Sequence, residues 1–397
     1  MALVLPKAVV SGVAWGETRD LFRQGYYLEF LISSHDPAKW NFSDNTDLSE
    51  VLLIAKKRGP GRKPPDRSAR VTCVNLWRNP ATAFEALSLA HSIDSDEAPK
   101  LEKTQGAQAI EVSGEKVGEA VQIAWSELQT RDWMLGCSFA QAELLRAAYA
   151  LITTSKVVTP SGEAAIAFKR LGGIGRVGPD RRDIHDGFSE STIRTPYPAY
   201  WGHDASECVS LATTPNRYLA PVARAKPGRP LRRVTDLWPK AGRVMLAERM
   251  WLHTQRLVSV RLPEAALANV WWPFRLQEED PEAEKALVLW LNSTLGLITL
   301  LSFREETRGA WVAFKKPVLE ELPVLDVTTL GKTALRAFAD AFDKIAQDQL
   351  EPLPRMDSDP VRAAIDVAVS RILKLPVLDV LRNLLAQEPV ISLRGLT

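Results

Sequence analysis

The apolar and polar positions of the first 57 residues predict a strand, a helix, a strand, a long loop and a strand. Residues 2–6 form a short apolar run ended by a proline, and residues 15–24 have a helical pattern that closes at Gly25. Tyr26–Ser33 alternates apolar and polar positions, whereas Val51–Ala55 is apolar at consecutive positions, as in a strand covered on both faces. Three strands bury too small a core to be stable, so we expect another chain to supply the rest of the sheet.

The later pattern is a mixture of short strands, turns and helices. Residues 155–260 are rich in turn residues, and the chain becomes helical again after about residue 280. The 18 residues from Ala286 to Phe303 hold no charge, and their polar side chains favour a buried helix over a membrane span. The other predicted elements are a strand at 71–76, a helix from Asn79-Pro80, a hairpin at 107–128, a helix from a Ser138 cap to Ile152, an amphipathic helix at 330–350 and a helix from Asp359-Pro360.

Composition excludes several classes of site. The 397 residues carry a net charge of +2, so nucleic acid would have to be bound by local basic clusters. The three cysteines are far apart and the five histidines show no metal-ligand spacing, which argues against a zinc site and fits a reducing cytoplasm. No secretion signal is evident, and neither GxSxG nor HExxH is present.

Local basic clusters are the candidates for contact with nucleic acid. Arginines surround the glycine-rich stretch 172–178, and guanidinium groups suit phosphates and guanine edges. The glycines have a dinucleotide-binding spacing, but the polar residues 179–183 cannot begin the apolar helix which that site requires. Segments 58–64 and 226–233 are proline-rich and basic, a composition that phosphate anchors and solvated linkers share. For all of these clusters, the alternative to DNA binding is that the arginines are solvated and pair with nearby aspartates. The candidate DNA-binding residues are Arg58, Arg62, Lys63, Arg170, Arg176, Arg181, Arg182, Arg229, Arg232 and Arg233.

Two stretches resemble N6-adenine DNA methyltransferases of restriction-modification and phage-defence systems. The string "LPKAVVSGVAW…TRDLF…YYLEFLISSHDPAKWNFSDNTDLSEVLLIAKK" resembles the end of their catalytic domain. The second resemblance is to their target-recognition domain. It rests on "GxxGRVGPDRRDIHDGF", on a strand at Trp271-Trp272-Pro273, a helix at Leu291-Asn292-Ser293 and a strand at Lys315-Lys316-Pro317. The resemblance implies an α/β plus α+β fold: the last strands of an incomplete Rossmann-like methyltransferase sheet, a mixed α+β recognition domain and a helical tail.

The domains implied are the catalytic strands at 1–57, a basic linker at 58–70, the target-recognition region at 71–327 and the helical tail at 328–397. The family's cofactor-binding glycine motif and catalytic Asn-Pro-Pro-aromatic motif would precede Met1. We therefore expect this chain alone to be inactive and to bind no cofactor, whereas the complete enzyme would use S-adenosylmethionine.

The resemblance also implies a role for an aromatic side chain in the loop before the last strand. Such enzymes act on an adenine swung out of the helix, and an aromatic ring stacks on that base. Phe42 matches the position, and its neighbour Trp40 is the second choice; plain packing is the alternative for both.

The partners implied are duplex DNA and the N-terminal catalytic half, in the same polypeptide or as a separate subunit, with no membrane involved. A non-catalytic DNA-binding specificity subunit of a restriction-modification or defence complex is one alternative. A non-functional remnant with an unstable, incomplete sheet is another.

Overall fold

The computed structural model describes residues 1–44, 46–59, 69–102, 106–130, 133–202 and 207–396. It combines a six-stranded sheet, a seven-stranded sheet, smaller sheets and a C-terminal group of helices. The predicted fold class, α/β plus α+β with a helical tail, is confirmed. The elements up to residue 130 are β1 (Ala2–Pro6), α1 (Ala8–Ser11), α2 (Gly16–Gly25), β2 (Tyr26–Ser34), β3 (Glu50–Lys57), β4 (Arg70–Leu76), α3 (Ala83–Ser95), β5 (Gln108–Val112), β6 (Glu115–Ala124) and α4 (Trp125–Thr130).

The first sheet has the strand order β1-β3-β2-β4-β6-β5. β3 lies between β1 and β2 and is antiparallel to both. On its other side β2 pairs in parallel with β4, where Leu31 is opposite Cys73. The expectation that another chain must complete this sheet is therefore wrong on the β2 side, because β4 of the same chain supplies the next strand. The predicted boundary after residue 57 falls between two strands of one sheet, and the domain division itself stays a prediction.

The second region contains the seven-stranded sheet, with the strand order β10-β17-β14-β16-β12-β13-β11. β12 and β16 are parallel, and its other pairings are antiparallel. Its elements are α5 (Ala142–Thr154), β7 (Lys156–Thr159), β8 (Gly162–Ala165), β9 (Phe168–Arg170), α6 (Leu171–Ile174), β10 (Gly175–Val177), α7 (Arg181–Gly187), β11 (Phe188–Ser191), β12 (Pro198–Tyr200), β13 (Arg217–Pro221), α8 (Val234–Leu237), β14 (Gly242–Ala247), β15 (Arg249–Trp251), β16 (Ser259–Ala268) and β17 (Trp271–Leu276).

The third region supplies the core helices and the tail. Its β18 and β19 join β15 in a three-stranded sheet of order β15-β19-β18. Its elements are α9 (Pro281–Asn292), α10 (Thr294–Leu301), β18 (Glu305–Arg308), β19 (Trp311–Ala313), α11 (Lys316–Glu321), β20 (Pro323–Leu325), α12 (Lys332–Ile345), α13 (Pro360–Leu373), α14 (Asp379–Gln387) and α15 (Pro389–Ser392).

The uncharged stretch after residue 286 forms two helices rather than one. α9 and α10 meet at 70° at Ser293, whose hydroxyl accepts the Gly296 N–H at 3.2 Å and so caps α10. Both helices are buried through this stretch, as predicted. In the described ranges, no single helix is long and apolar enough to cross a membrane; the bent pair passes that test by length and composition only.

Some predicted elements were wrong in type or in their capping residue. Lys315-Lys316-Pro317 begins helix α11 instead of forming a strand, because proline is favoured in the first turn of a helix and cannot donate to a sheet. The helix predicted from Asn79-Pro80 begins at Ala83, where the Thr82 hydroxyl accepts the Glu85 N–H. Ser138 does not cap α5, which starts at Ala142.

Candidate nucleic-acid interface

The first side of the candidate site is helix α7. The Asp180 carboxylate caps it by accepting the Asp183 N–H at 2.9 Å. This start places Arg181 and Arg182 in the first turn, where both are exposed. Cations at this end oppose the helix dipole, at a cost of about 0.3–1 kcal/mol each. Helix stability therefore does not account for these two arginines.

The second side is the segment that follows β13. Because β13 pairs with β11, the strand after α7, the chain returns alongside the helix, and Val222 donates to the Gly187 carbonyl at 3.0 Å. The Arg229 guanidinium donates from Nε to Asp186 at 3.0 Å, and its Nη2 lies 2.7 Å from the same carboxylate oxygen. Arg229 Nη2 also donates to the Arg182 carbonyl at 3.3 Å. Two basic segments 40 or more residues apart in sequence are thus held together.

The third side comes from the corner between β14 and β15 and from the buried indole of Trp272. Together the three sides enclose an open cleft of about 690 Å³. We call it the basic cleft. It is lined by Asp180, Arg181, Arg182, His185, Lys226, Arg229, Glu248, Arg249 and Trp272.

The basic cleft has an excess of uncompensated positive charge. Arg229 is neutralised by Asp186, but Arg181, Arg182 and Lys226 have no carboxylate of a described residue within ion-pair distance. This charge acts on His185. Its burial, and then the charges of Lys226 and Arg181, lower the pKa of its imidazole below the usual value. Positive charge without a protein partner in an open cleft is what a polyanion requires.

The other predicted basic residues lie outside the basic cleft. Arg232 pairs with Asp183 at 2.9 Å and Arg170 with Glu321 at 2.7 Å, whereas Arg176 and Arg233 are exposed. Residues 60–68 are outside the described ranges, and Arg62 and Lys63 with them.

Arg58 has a structural set of contacts. Its guanidinium donates to the Arg23 carbonyl at 2.6 Å and to the Tyr26 carbonyl at 3.3 Å. It also lies 5.3 Å from the centre of the Tyr27 ring. The DNA-binding role of Arg58 stays a prediction, and these contacts anchor the end of β3.

The glycine-rich stretch has a packing explanation. Gly175 lies in β10 beside β17, where a Cβ atom would collide with the Phe274 ring and the Arg275 carbonyl. A Cβ at Gly178 would meet Pro273 of the same strand in the same way. These glycines allow two strands to approach closely, which explains the spacing without a nucleotide site.

The aromatic residues of the loop between β2 and β3 take different positions. Phe42 is half-buried against the core of the first sheet, and its N–H donates to Glu50 Oε2 at 2.8 Å. Trp40 lines a second pocket of about 230 Å³, which we call the aromatic pocket. Trp251 and Arg308 also line it, and the Trp251 ring centre is 5.8 Å from that of Trp311. Their base-stacking role stays a prediction, and the pocket favours Trp40 over Phe42.

Strand β15 joins the basic cleft to the aromatic pocket. Arg249 lines the first and Trp251 lines the second. Residues two apart on a strand point to the same face, about 7 Å from each other. The two sites therefore share β15 as a lining strand.

Sequence reasoning missed several residues of the site. Lys226 was recognised only as part of a basic segment, and His185 and Trp272 only as parts of longer resembling stretches; none of the three was a candidate site residue. Glu248 and Arg249 carried no signal, because their place in the cleft depends on pairings that the sequence does not specify.

Sequence comparisons find no match for this chain, whereas a structural comparison finds a weak similarity. No family model matches the chain, and no curated protein matches it. Among solved structures, the chain is similar to the type IIG restriction endonuclease BpuSI, with 12% identity and a TM-score of 0.38. The match covers 98% of this chain and 48% of that one, so this chain spans about half the length of the structure that it matches.

Proposed function

We propose that this chain is the DNA-recognition part of an S-adenosylmethionine-dependent N6-adenine DNA methyltransferase, and that duplex DNA lies along the basic cleft. The observation that supports this most directly is the convergence of Arg181, Arg182 and Lys226 from two separate segments. Sequence alone named these segments as basic, and the fold brings them to one surface. Phosphate contacts of this kind fix a protein on the duplex without regard to sequence.

The aromatic pocket supplies a place for an extrahelical adenine in this proposal. An enzyme that modifies a base takes it out of the helix and stacks it on apolar rings. Trp40 and Trp251 both border the pocket, and its volume of about 230 Å³ is large enough for one base. Because the pocket adjoins the basic cleft, a base leaving a duplex bound there would have a short path to it.

The exposed edge of the first sheet supports a partner. Among the described strands, β1 forms one edge of the sheet, and Met1 and Val4 there are 53% and 43% exposed. An apolar edge strand is a template for pairing with another strand. We assign this edge to the N-terminal catalytic half, which would hold S-adenosylmethionine and the catalytic motif; no chemical step is assigned to residues of this chain.

A binding titration tests the proposal. Fluorescence anisotropy of a labelled 30-base-pair duplex should show binding by the purified chain at 50 mM salt. The variant Arg181→Ala/Arg182→Ala should bind about tenfold more weakly, since a loss of ~1.4 kcal/mol over two contacts gives that factor.

The matched control removes the same charge from the helical tail. Arg336→Ala/Arg355→Ala changes two arginines that are exposed on the tail and distant from the basic cleft in sequence. It should leave affinity unchanged. Equal weakening by both variants, or no binding by the unmodified chain, would refute the proposal.

A further inference from the structure

Glu248 places a negative charge in the cleft that we propose binds phosphate. It lines the basic cleft with its side chain 27% exposed, among residues that are otherwise mostly cationic. The nearest described cation to its carboxylate is Arg249, at 3.8 Å, which is long for an ion pair. Asp180, the other carboxylate that lines the cleft, accepts the Asp183 N–H as the cap of α7. The nearby Asp183 and Asp186 each hold an arginine at 2.9 Å or less.

The backbone of Glu248 is fixed on both sides. Its N–H donates to the Val270 carbonyl at 3.2 Å, and its carbonyl accepts the Phe314 N–H at 2.7 Å. Trp272, the indole wall of the cleft, donates to the Phe314 carbonyl at 2.9 Å. Glu248 and Trp272 are thus positioned against one residue, and the carboxylate stands on a rigid support.

The support includes a strained residue. Val270 has a φ of 61°, in the left-handed region, where a β-branched side chain is a genuine outlier. The Glu248 N–H bonds to the carbonyl of this residue. Strain of this kind persists where the surrounding structure demands a particular geometry, and it is concentrated at binding sites.

The chemistry of DNA restricts what a carboxylate can contact. Phosphate oxygens would repel Glu248, whereas a hydrogen-bond donor would be accepted. In the major groove the donors on base edges are the amino groups of cytosine N4 and adenine N6. A carboxylate flanked by phosphate-binding cations is therefore suited to an amino-bearing base edge.

We propose that Glu248 determines sequence specificity by accepting a hydrogen bond from the exocyclic amino group of one cytosine or adenine. This inference rests on the proposed function, because it requires the duplex to lie in the basic cleft. Arg181, Arg182 and Lys226 hold the backbone, and Glu248 discriminates at one base pair. Nothing in the sequence motifs distinguishes Glu248 for this role.

Selection from a randomised duplex library tests the assignment. The unmodified chain should enrich one of the four base pairs at a single position, by on the order of tenfold or more. Glu248→Ala, which removes the acceptor and one negative charge, should lose the preference at that position and bind unrelated duplexes a few-fold more tightly. Glu248→Lys should instead enrich guanine there, since a cation contacts guanine O6 and N7.

The control is Glu115→Gln, which removes one negative charge at the exposed start of β6 and should leave both readouts unchanged. Thermal melting verifies that each variant is folded. The inference is overturned if Glu248→Ala and Glu248→Lys enrich the same sequences as the unmodified chain, or if the unmodified chain binds duplexes without base preference. In that case the proposed DNA-binding function would stand; absence of any duplex binding would remove both.

Discussion

The arginines of the basic cleft differ in what their guanidinium groups already contact. Arg229 is committed to Asp186 and to a backbone carbonyl, so it joins α7 to the following segment. Arg181 donates from Nε to the His185 imidazole at 3.5 Å, and neither Arg181 nor Arg182 has such a carboxylate among the described residues. Sequence composition identifies a basic segment, but it cannot separate these roles, because the partners come from distant positions.

His185 should make DNA binding dependent on pH. In the free protein burial, Lys226 and Arg181 lower the pKa of its imidazole, while Glu190 opposes them. A bound phosphate would raise that pKa, so the complex takes up a proton and affinity increases as pH falls between the two pKa values. Anisotropy titrations from pH 8 to pH 5.5 should show a gain of a few-fold.

The variant His185→Gln should lose this gain, and His91→Gln, at an exposed position on α3, should keep it. Parallel pH profiles for the unmodified chain and His185→Gln would show that the imidazole does not adjoin the bound phosphate.

At the scale of elements, the start of α5 shows why local motifs mislead. The serine predicted to cap it lies too early, and the Glu388 carboxylate, from the other end of the chain, instead holds the two residues that precede the helix. Its oxygens accept the N–H groups of Ala140 and Gln141, each at 3.0 Å. Local spacing predicted the helix and the β5-β6 hairpin, but a contact supplied from 247 residues away leaves no local pattern.

Glu388 should give the protein a stability that decreases with rising pH. Burial raises the pKa of its carboxyl to about 7, against the hydrogen bonds from Ala140 and Gln141. The folded state therefore holds a proton that the unfolded state releases near its ordinary value. This contribution is complete below about pH 4.5 and is lost as pH rises through about 7.

Urea unfolding across pH 4.5 to 8.5 measures the effect. Relative to Glu388→Gln, the unmodified chain should lose at most roughly 3 kcal/mol over that range. The test uses only how the difference in free energy of unfolding between the two proteins changes with pH, so an overall destabilisation by the substitution does not matter. A constant difference between the two proteins would contradict the expectation.

At the scale of the molecule, a buried ion cluster ties the first sheet to β18 of the three-stranded sheet. Lys7, just after β1, lies 3.0 Å from Glu306 of β18, and Arg304 lies 3.0 Å from the same carboxylate oxygen. All three side chains are fully buried. Burial, and then Lys7 and Arg304, also lower the pKa of the adjacent His35 well below its usual value.

The strand and helix pattern of residues 1–57 was predictable because it depends on local periodicity. The pairing of β2 with β4 and the contact of Lys7 with Glu306 join residues that are distant in sequence, and periodicity does not specify them. For the same reason the basic segments were predictable and their convergence on one cleft was not.

Glu306→Gln should destabilise both regions together. Burial opposes ionisation of Glu306, but Lys7 and Arg304 hold its pKa below the usual value, so the substitution leaves two buried cations poorly compensated. We expect a loss of about 3–5 kcal/mol in urea unfolding. Limited proteolysis should then cut residues 1–57 and 305–313 at the same urea concentration.

The exposed Glu115→Gln variant is the control and should unfold like the unmodified chain. Selective removal of residues 1–57, with the remainder unchanged, would instead support an unstable remnant of a sheet.

The central claim is that duplex DNA occupies the basic cleft, and hydrogen exchange with and without a duplex tests it most directly. The account predicts slower exchange on DNA addition in α7 and β11, in the segment 222–229 and at 247–251, with α12, α13 and α14 unchanged. Protection confined to those tail helices, or no protection in the segments that line the cleft, would contradict it.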